Sequence, residues 1–339
     1  MAASMFRVFD PRQLAHAPAQ EFHNGGWAPH ADLPARAGNI AERLGDCDPA
    51  RDFGLEPILR VHTPQYVDFL QRAHADWRAA GRPGDAVGYA WPVVGRRPLD
   101  LDRIDARLGH FSYDACTPIT AGTWEAAYWA AQSALTALEP LLDGGERTSF
   151  ALCRPPGHHA GADYLGGYCY LNNTAVAVRA ARDAGHLRVA ILDVDYHHGN
   201  GTQDIFVADG SVFFASIHAD PASDYPFFWG HADERGFGEG EGATLNLPLP
   251  RGAAFDAYAA ALDRALEAIA RFDPSLLVVS FGADTFEGDP ISHFRIATGD
   301  YPVMAERIAA LARPTLIVME GGYAVDALAD NVEGFLSGF

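Results

Sequence analysis

Ile191-Leu-Asp193-Val-Asp195-Tyr-His197-His198-Gly199-Asn200-Gly201 begins as a buried strand and ends in a turn. The run that leads into it, Arg188–Val194, is short and apolar, as expected of a strand covered on both faces of a parallel sheet. Successive strand side chains point to opposite faces, so Asp193, Asp195 and His197 share one. Carboxylates and an imidazole packed this closely repel or desolvate one another unless something cationic sits among them. A hydrogen-bonded polar strand end is the plainer alternative.

Outward from this stretch, apolar runs of strand length recur at Ser149–Cys153, Val212–Ile217, Leu276–Phe281 and Thr315–Met319. Between them lie amphipathic patterns of helix length at about Thr123–Leu142, Asn172–Ala184, Phe255–Arg271 and Tyr301–Ala312. The alternation predicts one three-layer α/β domain over all 339 residues, with a mostly parallel central sheet flanked by helices. Ligand sites in such folds lie beyond the carboxyl ends of the strands, where this chain concentrates its polar clusters. The stretch from about Gly81 to Pro118 carries Gly, Pro and Arg turn signals without periodicity, which predicts an irregular surface insertion.

Composition narrows the partners. The 44 acidic and 25 basic side chains give a net charge of −19, and every basic residue is arginine. No basic run is long enough to track a phosphate backbone, so no nucleic acid is expected, and a small molecule or a cationic partner is favoured. The most apolar helical stretch, Trp124–Leu142, is broken by Glu125, Gln132, Ser133 and Glu139, which fits a core-facing helix and no membrane contact. The N-terminal residues contain no apolar stretch of signal-peptide length, and the four cysteines form no C-x-x-C pair, so a cytoplasmic protein is expected.

Three more clusters follow other strands. Leu276–Phe281 runs into Gly282-Ala283-Asp284, and Asp284 with Asp195 and His197 suits Zn²⁺ with positions left open for water and substrate. Fe²⁺ or Co²⁺ suits the same donors. Arg154-Pro155-Pro156-Gly157-His158-His159 holds a tandem histidine pair on a stiff loop, better placed for acid–base work than for a metal already provided with ligands. Glu320-Gly321-Gly322-Tyr323 ends the last strand in a sharp turn aiming a phenol at the sheet edge, unless Tyr323 is a core residue.

Together the clusters Arg154–Gly161, Ile191–Gly201, Phe281–Pro290 and Glu320–Tyr323 resemble the zinc-dependent histone deacetylase and acetylpolyamine amidohydrolase superfamily. The resemblance extends through 166–173 and 201–206, and the bacterial acetylpolyamine amidohydrolases look nearest. It implies deacetylation of a small cationic amine, with Asp195, His197 and Asp284 as zinc ligands, His159 as general base, His158 as its electrostatic partner and Tyr323 polarising the carbonyl. Asp193 and Asn200 would support the two histidines. Gly167, Tyr168, Tyr225 and Ile291 would line a tunnel suited to a methylene chain.

The same resemblance implies structural K⁺ bound by Asp193, main-chain carbonyls around Asp195 and His197, Ser216 and Ile217, and a second such site at Phe206, Asp209 and Val212. It also implies that the insertion covers the active-site mouth and helps form a homodimer. Polyamine-selective relatives carry two glutamates there; Asp105 matches one, as the expected acceptor of the substrate's distal ammonium, and Cys116 stands at the other.

Three rival functions remain. Protein acetyl-lysine presents the same acyl amide. Arginase-like chemistry needs a second metal, yet Gly199 and Phe286 occupy positions where that family carries aspartates. A silent binding protein would have lost a ligand or the phenol, and all are present.

Overall fold

The computed structural model describes residues 5–93 and 101–339. A seven-stranded parallel sheet has the order β1 (Phe6–Val8), β4 (Thr148–Ala151), β9 (Thr315–Met319), β8 (Leu276–Phe281), β5 (Val189–Asp193), β6 (Val212–Ala219) and β7 (Thr244–Leu249). A separate antiparallel pair joins β2 (Gln20–His23) to β3 (Gly26–Pro29). The helices are α1 (Pro34–Leu44), α2 (Glu56–Leu59), α3 (Pro64–Ala79), α4 (Ile104–Phe111), α5 (Thr123–Leu142), α6 (Asn173–Asp183), α7 (Asn200–Phe206), α8 (Phe255–Phe272), α9 (Asp300–Ala309) and α10 (Val325–Leu336).

The single α/β domain follows from strands that are apolar on both faces. Val189 and Ile191 pack into one core with Val278, Val318 and residues of α3, α5 and α6. Their neighbours Ala190 and Leu192 pack into the opposite core with Val279, Ile317 and residues of α1, α8, α9 and α10. Alternate residues of each central strand thus supply both layers of helix packing, as the uninterrupted apolar runs require. Among the described residues no helix is long and apolar enough to cross a membrane.

Strand β5 pairs with β6 on one side and β8 on the other, and β9 lies between β8 and β4. The carboxyl ends of β4, β9, β8 and β5 are therefore neighbours, although their sequence order is scattered.

The insertion differs from the irregular segment expected. Its described part contains α4, where Ile104, Leu108 and Phe111 are buried against α3 and continue the first core. Three large apolar side chains in eight residues are too few to show a helical period in sequence, and packing supplies what periodicity lacks. Residues 94–100 of the insertion lie outside the described residues.

A buried histidine ties the N-terminal helices to this frame. The Asn172 side chain caps α6 by accepting from the Ala175 N–H (2.9 Å), while the Asn172 N–H donates to His62 Nε2 (2.9 Å). His62 must be neutral to accept, and burial lowers its pKa from the usual histidine value to about 4. The unfolded chain then binds this proton more readily than the folded one, so stability is complete above pH ~6.5 and falls as pH drops toward 4. The expected loss is about 3 kcal/mol from this group. Denaturant melts at pH 7, 5.5 and 4 check it, and a His62→Gln protein should show a shallower decline; identical slopes would remove His62 from the account.

Candidate active site

Each adjacent strand end delivers one part of the site. Asp193 closes β5 and Asp195 and His197 follow it; Asp284 follows β8; Glu320 follows β9; the His158-His159 loop follows β4. One donor atom each from Asp195, His197 and Asp284 lies within 4.8 Å of the others. His197 Nδ1 stands 2.9 Å from Asp284 Oδ2 and 3.5 Å from Asp195 Oδ1, and both carboxyl groups are buried. Main-chain N–H groups hold the carboxylates in place: Gly321 donates to Asp195 Oδ2 (2.8 Å) and Tyr196 to Asp284 Oδ1 (2.9 Å). A methyl group at Gly282 would collide with the Asp195 carboxylate, so glycine there gives the donor its space.

Protonation tests whether a cation fits. Burial and the Asp195 charge push Asp284 up to about 7. Burial opposes the charge on His197, yet its hydrogen bonds to Asp195 and Asp284 carry it up to about 10. The bare cluster thus has to gather protons between its oxygens, a place that a divalent ion would fill. Two carboxylates and one imidazole neutralise and ligate such an ion, and Zn²⁺ suits them. A second trio, His158, Cys169 and Glu320, is also close, but His158 Nδ1 donates to Asp193 and Glu320 Oε2 accepts from the Gly157 and His158 N–H groups.

The tandem histidines are adjacent but differ in environment. His158 Nδ1 donates to Asp193 Oδ2 (3.0 Å), and its Nε2 lies 3.8 Å from Asp195 Oδ1. Burial opposes its charge, but Asp195 and Asp193 carry its pKa up to about 10. His159 Nδ1 donates instead to the uncharged Asn200 Oδ1 (2.7 Å), and burial, then the charges on His158 and His197, holds its pKa well below the usual value. One ring is an imidazolium and the other a neutral base whose Nε2 is free to take a proton.

Tyr323 faces the site. Its ring packs edge-on against Tyr168 at 5.5 Å, its main-chain N–H donates to Asp289 Oδ2 (2.7 Å), and burial raises its pKa well above the usual value, opposed by the Arg36 charge. The Arg36 guanidinium sits 4.6 Å over the Tyr323 ring and donates to the carbonyls of Gly322 and Glu320 (2.8 Å for the latter). Asp32 accepts from both Arg36 (2.5 Å) and Arg154 (3.1 Å), making a buried triad that locks the turn.

A cavity of about 350 Å³ connects these groups with the surface; His159, His197 and Tyr323 are among its lining residues, with Gly167, Tyr168, Tyr225 and Ile291 along its walls. Gly167 has φ +54°, and a methyl there would strike the His159 ring. A larger groove of about 1310 Å³ lies apart, between α3 and α4, lined largely by Asp and Arg side chains. Asp105 belongs to that groove and not to the slot. Its carboxylate pairs with Arg82 (2.6 Å) and Arg103 (2.7 Å), so it has no charge to offer an ammonium, and the expected rim role is corrected.

The remaining expected residues divide as follows. The β5–β6 register sets Asp193 beside Ser216, next to Ile217, at the strand ends. Asp209 spends its carboxylate on Arg179 (2.7 Å) and Ser211, while Phe206 and Val212 flank it through main-chain bonds. Arg36, Asp32, Glu320 and Asp289 escaped sequence reasoning as supports of the site. Arg36 and Gly322 are 286 residues apart, and no local pattern links them.

The histone deacetylase domain family matches residues 32–339. Acetylpolyamine amidohydrolase 1 of Pseudomonas aeruginosa is 50% identical over 345 residues, spanning 99% of each chain. Acetylpolyamine amidohydrolase of Mycoplana ramosa is 45% identical over 324 residues, 94% of each. The crystal structure of acetylpolyamine aminohydrolase from Burkholderia pseudomallei superimposes with a TM-score of 0.95 at 41% identity, covering 99% of this chain and 98% of that one.

Proposed function

The chain belongs to the histone deacetylase family, and from that premise we propose that it removes the acetyl group from a small acetylated polyamine or diamine by metal-dependent amide hydrolysis. The observation that carries the reading is one slot lined together by a neutral histidine, His159, by the Tyr323 phenol residue, by His197 of the candidate metal cluster and by the aromatic Tyr168 and Tyr225. Relatives 42–50% identical over nearly the whole chain bear the acetylpolyamine amidohydrolase name, which favours small amines over acetylated protein.

Asp195, His197 and Asp284 would hold the metal, which when bound polarises the acyl carbonyl and acidifies water. His159 Nε2 takes the proton of the attacking water, because its Nδ1 proton is committed to Asn200 and burial keeps the ring neutral. The same nitrogen returns the proton to the leaving amine. His158, charged through Asp193 and Asp195, keeps that ring neutral and adds positive potential beneath the site. The Tyr323 phenol donates to the developing oxyanion, held at its angle by Arg36 and Asp289. Tyr168 and Tyr225 exclude water from an alkyl chain.

Further parts of the reading follow the same premise. A K⁺ ion beside Asp193 and Ser216 would brace the His158 support, and a second, at Phe206, Asp209 and Val212, would rest on carbonyl oxygens alone; metal analysis after dialysis into K⁺ or Na⁺ reads both. Exposed Phe22, Trp27, Tyr89, Trp91 and Val93 support a homodimer, which light scattering reads. Four free cysteines fit a reducing cytoplasm.

A substrate panel tests the central proposal. At equal concentration, kcat/KM for N-acetylputrescine, N-acetylcadaverine and acetylspermidine should exceed that for an acetyl-lysine peptide by tenfold or more. Faster turnover of the peptide would overturn the small-amine reading.

A further inference from the structure

His159 can take a proton at Nε2 only if its own ring proton sits on Nδ1, and the group beside Nδ1 does not by itself put it there. Asn200 is an amide. Turned one way, its Oδ1 accepts from an Nδ1–H; turned the other way, its NH2 donates to a bare Nδ1 and the ring proton moves to Nε2. In the second arrangement His159 is no base toward the slot. An aspartate, which only accepts when ionised, would leave no such choice. Whatever holds the Asn200 amide in the first orientation therefore decides whether His159 can act.

Two tyrosines flank that amide, which is fully buried. Tyr113, at the end of the insertion, donates its hydroxyl proton to Asn200 Oδ1 (3.4 Å), the oxygen that also accepts from His159 Nδ1 (2.7 Å). Its own oxygen accepts from the Tyr225 hydroxyl, which leaves its proton for Asn200. Tyr164, in the loop that follows His159, gives its proton to Asp204 Oδ2 (2.7 Å), so it turns only lone pairs toward Asn200. Burial, then the Asp204 charge, raises the Tyr164 pKa well above the usual value, and the Asn200 amide works against that rise, as an N–H turned toward the phenol oxygen does. Asn200 Nδ2 is buried and closes no hydrogen bond among the described residues, so Tyr164 acts on it through charge alone.

Both rings are fixed in place. A methyl group at Gly166 would strike the Tyr113 ring and one at Gly161 the Tyr164 ring, and the two rings meet edge-on at 5.6 Å. A flipped amide would be wrong at both ends, its NH2 against a hydroxyl proton and its oxygen against lone pairs.

We propose that Tyr113 and Tyr164 are positioning residues that hold the Asn200 oxygen toward His159 and so keep His159 in its Nδ1–H tautomer. The inference rests on the deacetylase reading, in which this ring takes the proton, and it gives the insertion a part in the chemistry through Tyr113.

The test reads tautomer and turnover separately. In metal-loaded protein labelled with ¹⁵N at histidine, long-range ¹⁵N–¹H correlation spectra distinguish Nδ1–H from Nε2–H rings, and a His159→Gln sample identifies the His159 signals. The wild-type ring should be Nδ1–H. Tyr113→Phe should give a mixture of the two tautomers and lower kcat for N-acetylputrescine in proportion, about 2- to 10-fold, with KM unchanged; adding Tyr164→Phe should deepen both effects. Asn200→Asp is the rescue: in that background, removing both hydroxyls should change kcat by less than about twofold, because the carboxylate has no donor end. If Tyr113→Phe leaves the ring Nδ1–H alone, the amide is held by other groups and the proposal fails. That outcome is the one expected if Tyr225 gives its proton to Asp114 Oδ2, 2.8 Å away, and Tyr113 turns its own toward Tyr225. An equal fall in kcat in the Asn200→Asp background would make the two rings mere packing, and an Nε2–H ring in wild-type protein would overturn the proposal without any variant. A wild-type protein with an Nδ1–H ring that hydrolyses no acetylated amine would end the deacetylase reading and leave the placement of the proton standing.

Discussion

Asp284→Ala protein is expected to lose about 10³-fold or more in kcat and to purify with far less than one transition-metal ion per chain. The carboxylate is buried, offers one of the three candidate donor atoms, and sits 2.9 Å from His197 Nδ1, so its removal leaves two donors and half the negative charge. The remaining pair, Asp195 and His197, satisfies itself as an ion pair and no longer needs a cation. Tyr196 loses the acceptor for its N–H, a local cost that a thermal melt separates from loss of metal. Elemental analysis and amide hydrolysis on the same sample decide it. Normal turnover with a full metal complement would show that Asp284 is no ligand, and the metal-dependent mechanism would fall.

Tyr323→Phe should lower kcat by about 10²–10³ while KM, metal content and melting temperature stay near their original values. The ring contacts survive the change, because the Arg36 guanidinium and Tyr168 meet the ring and Asp289 meets the main chain. Only the hydroxyl is lost, from a residue that lines the slot together with His159 and His197. An effect confined to kcat identifies a donor that acts on the developing oxyanion. Unchanged kcat would return Tyr323 to the role of a packing residue, and a large fall in melting temperature would mean that the turn, not the phenol, had been tested.

Strand-end clusters were legible because they are local. Asp193, Asp195 and His197 alternate within five residues, and the apolar run before them marks the strand that carries them. Helix α5 was expected over the residues it occupies, since its apolar face is long enough to display a period. By contrast β1 has three residues and α4 eight, lengths at which neither period is visible, and both depend on the neighbours that cover them. Asp105 was misread for a related reason: a sequence lists charges, and whether Arg82 and Arg103 have already cancelled one depends on side-chain reach.

The sequence by itself determined the α/β class, the candidate metal donors and the order of the chemical groups along the chain, because apolar runs of strand length and the residues that end them are properties of consecutive positions. Tertiary structure alone decided which strand ends are neighbours: β9 and β8 lie between β4 and β5, bringing His159 and Tyr323 to one slot from 164 positions apart. It also decided the charges. His158 and His159 are the same residue side by side, and only burial beside Asp193 and Asp195 or against Asn200 leaves one charged and the other neutral. Desolvation and Coulomb interaction act through distance in space, and distance in space is what the sheet order sets.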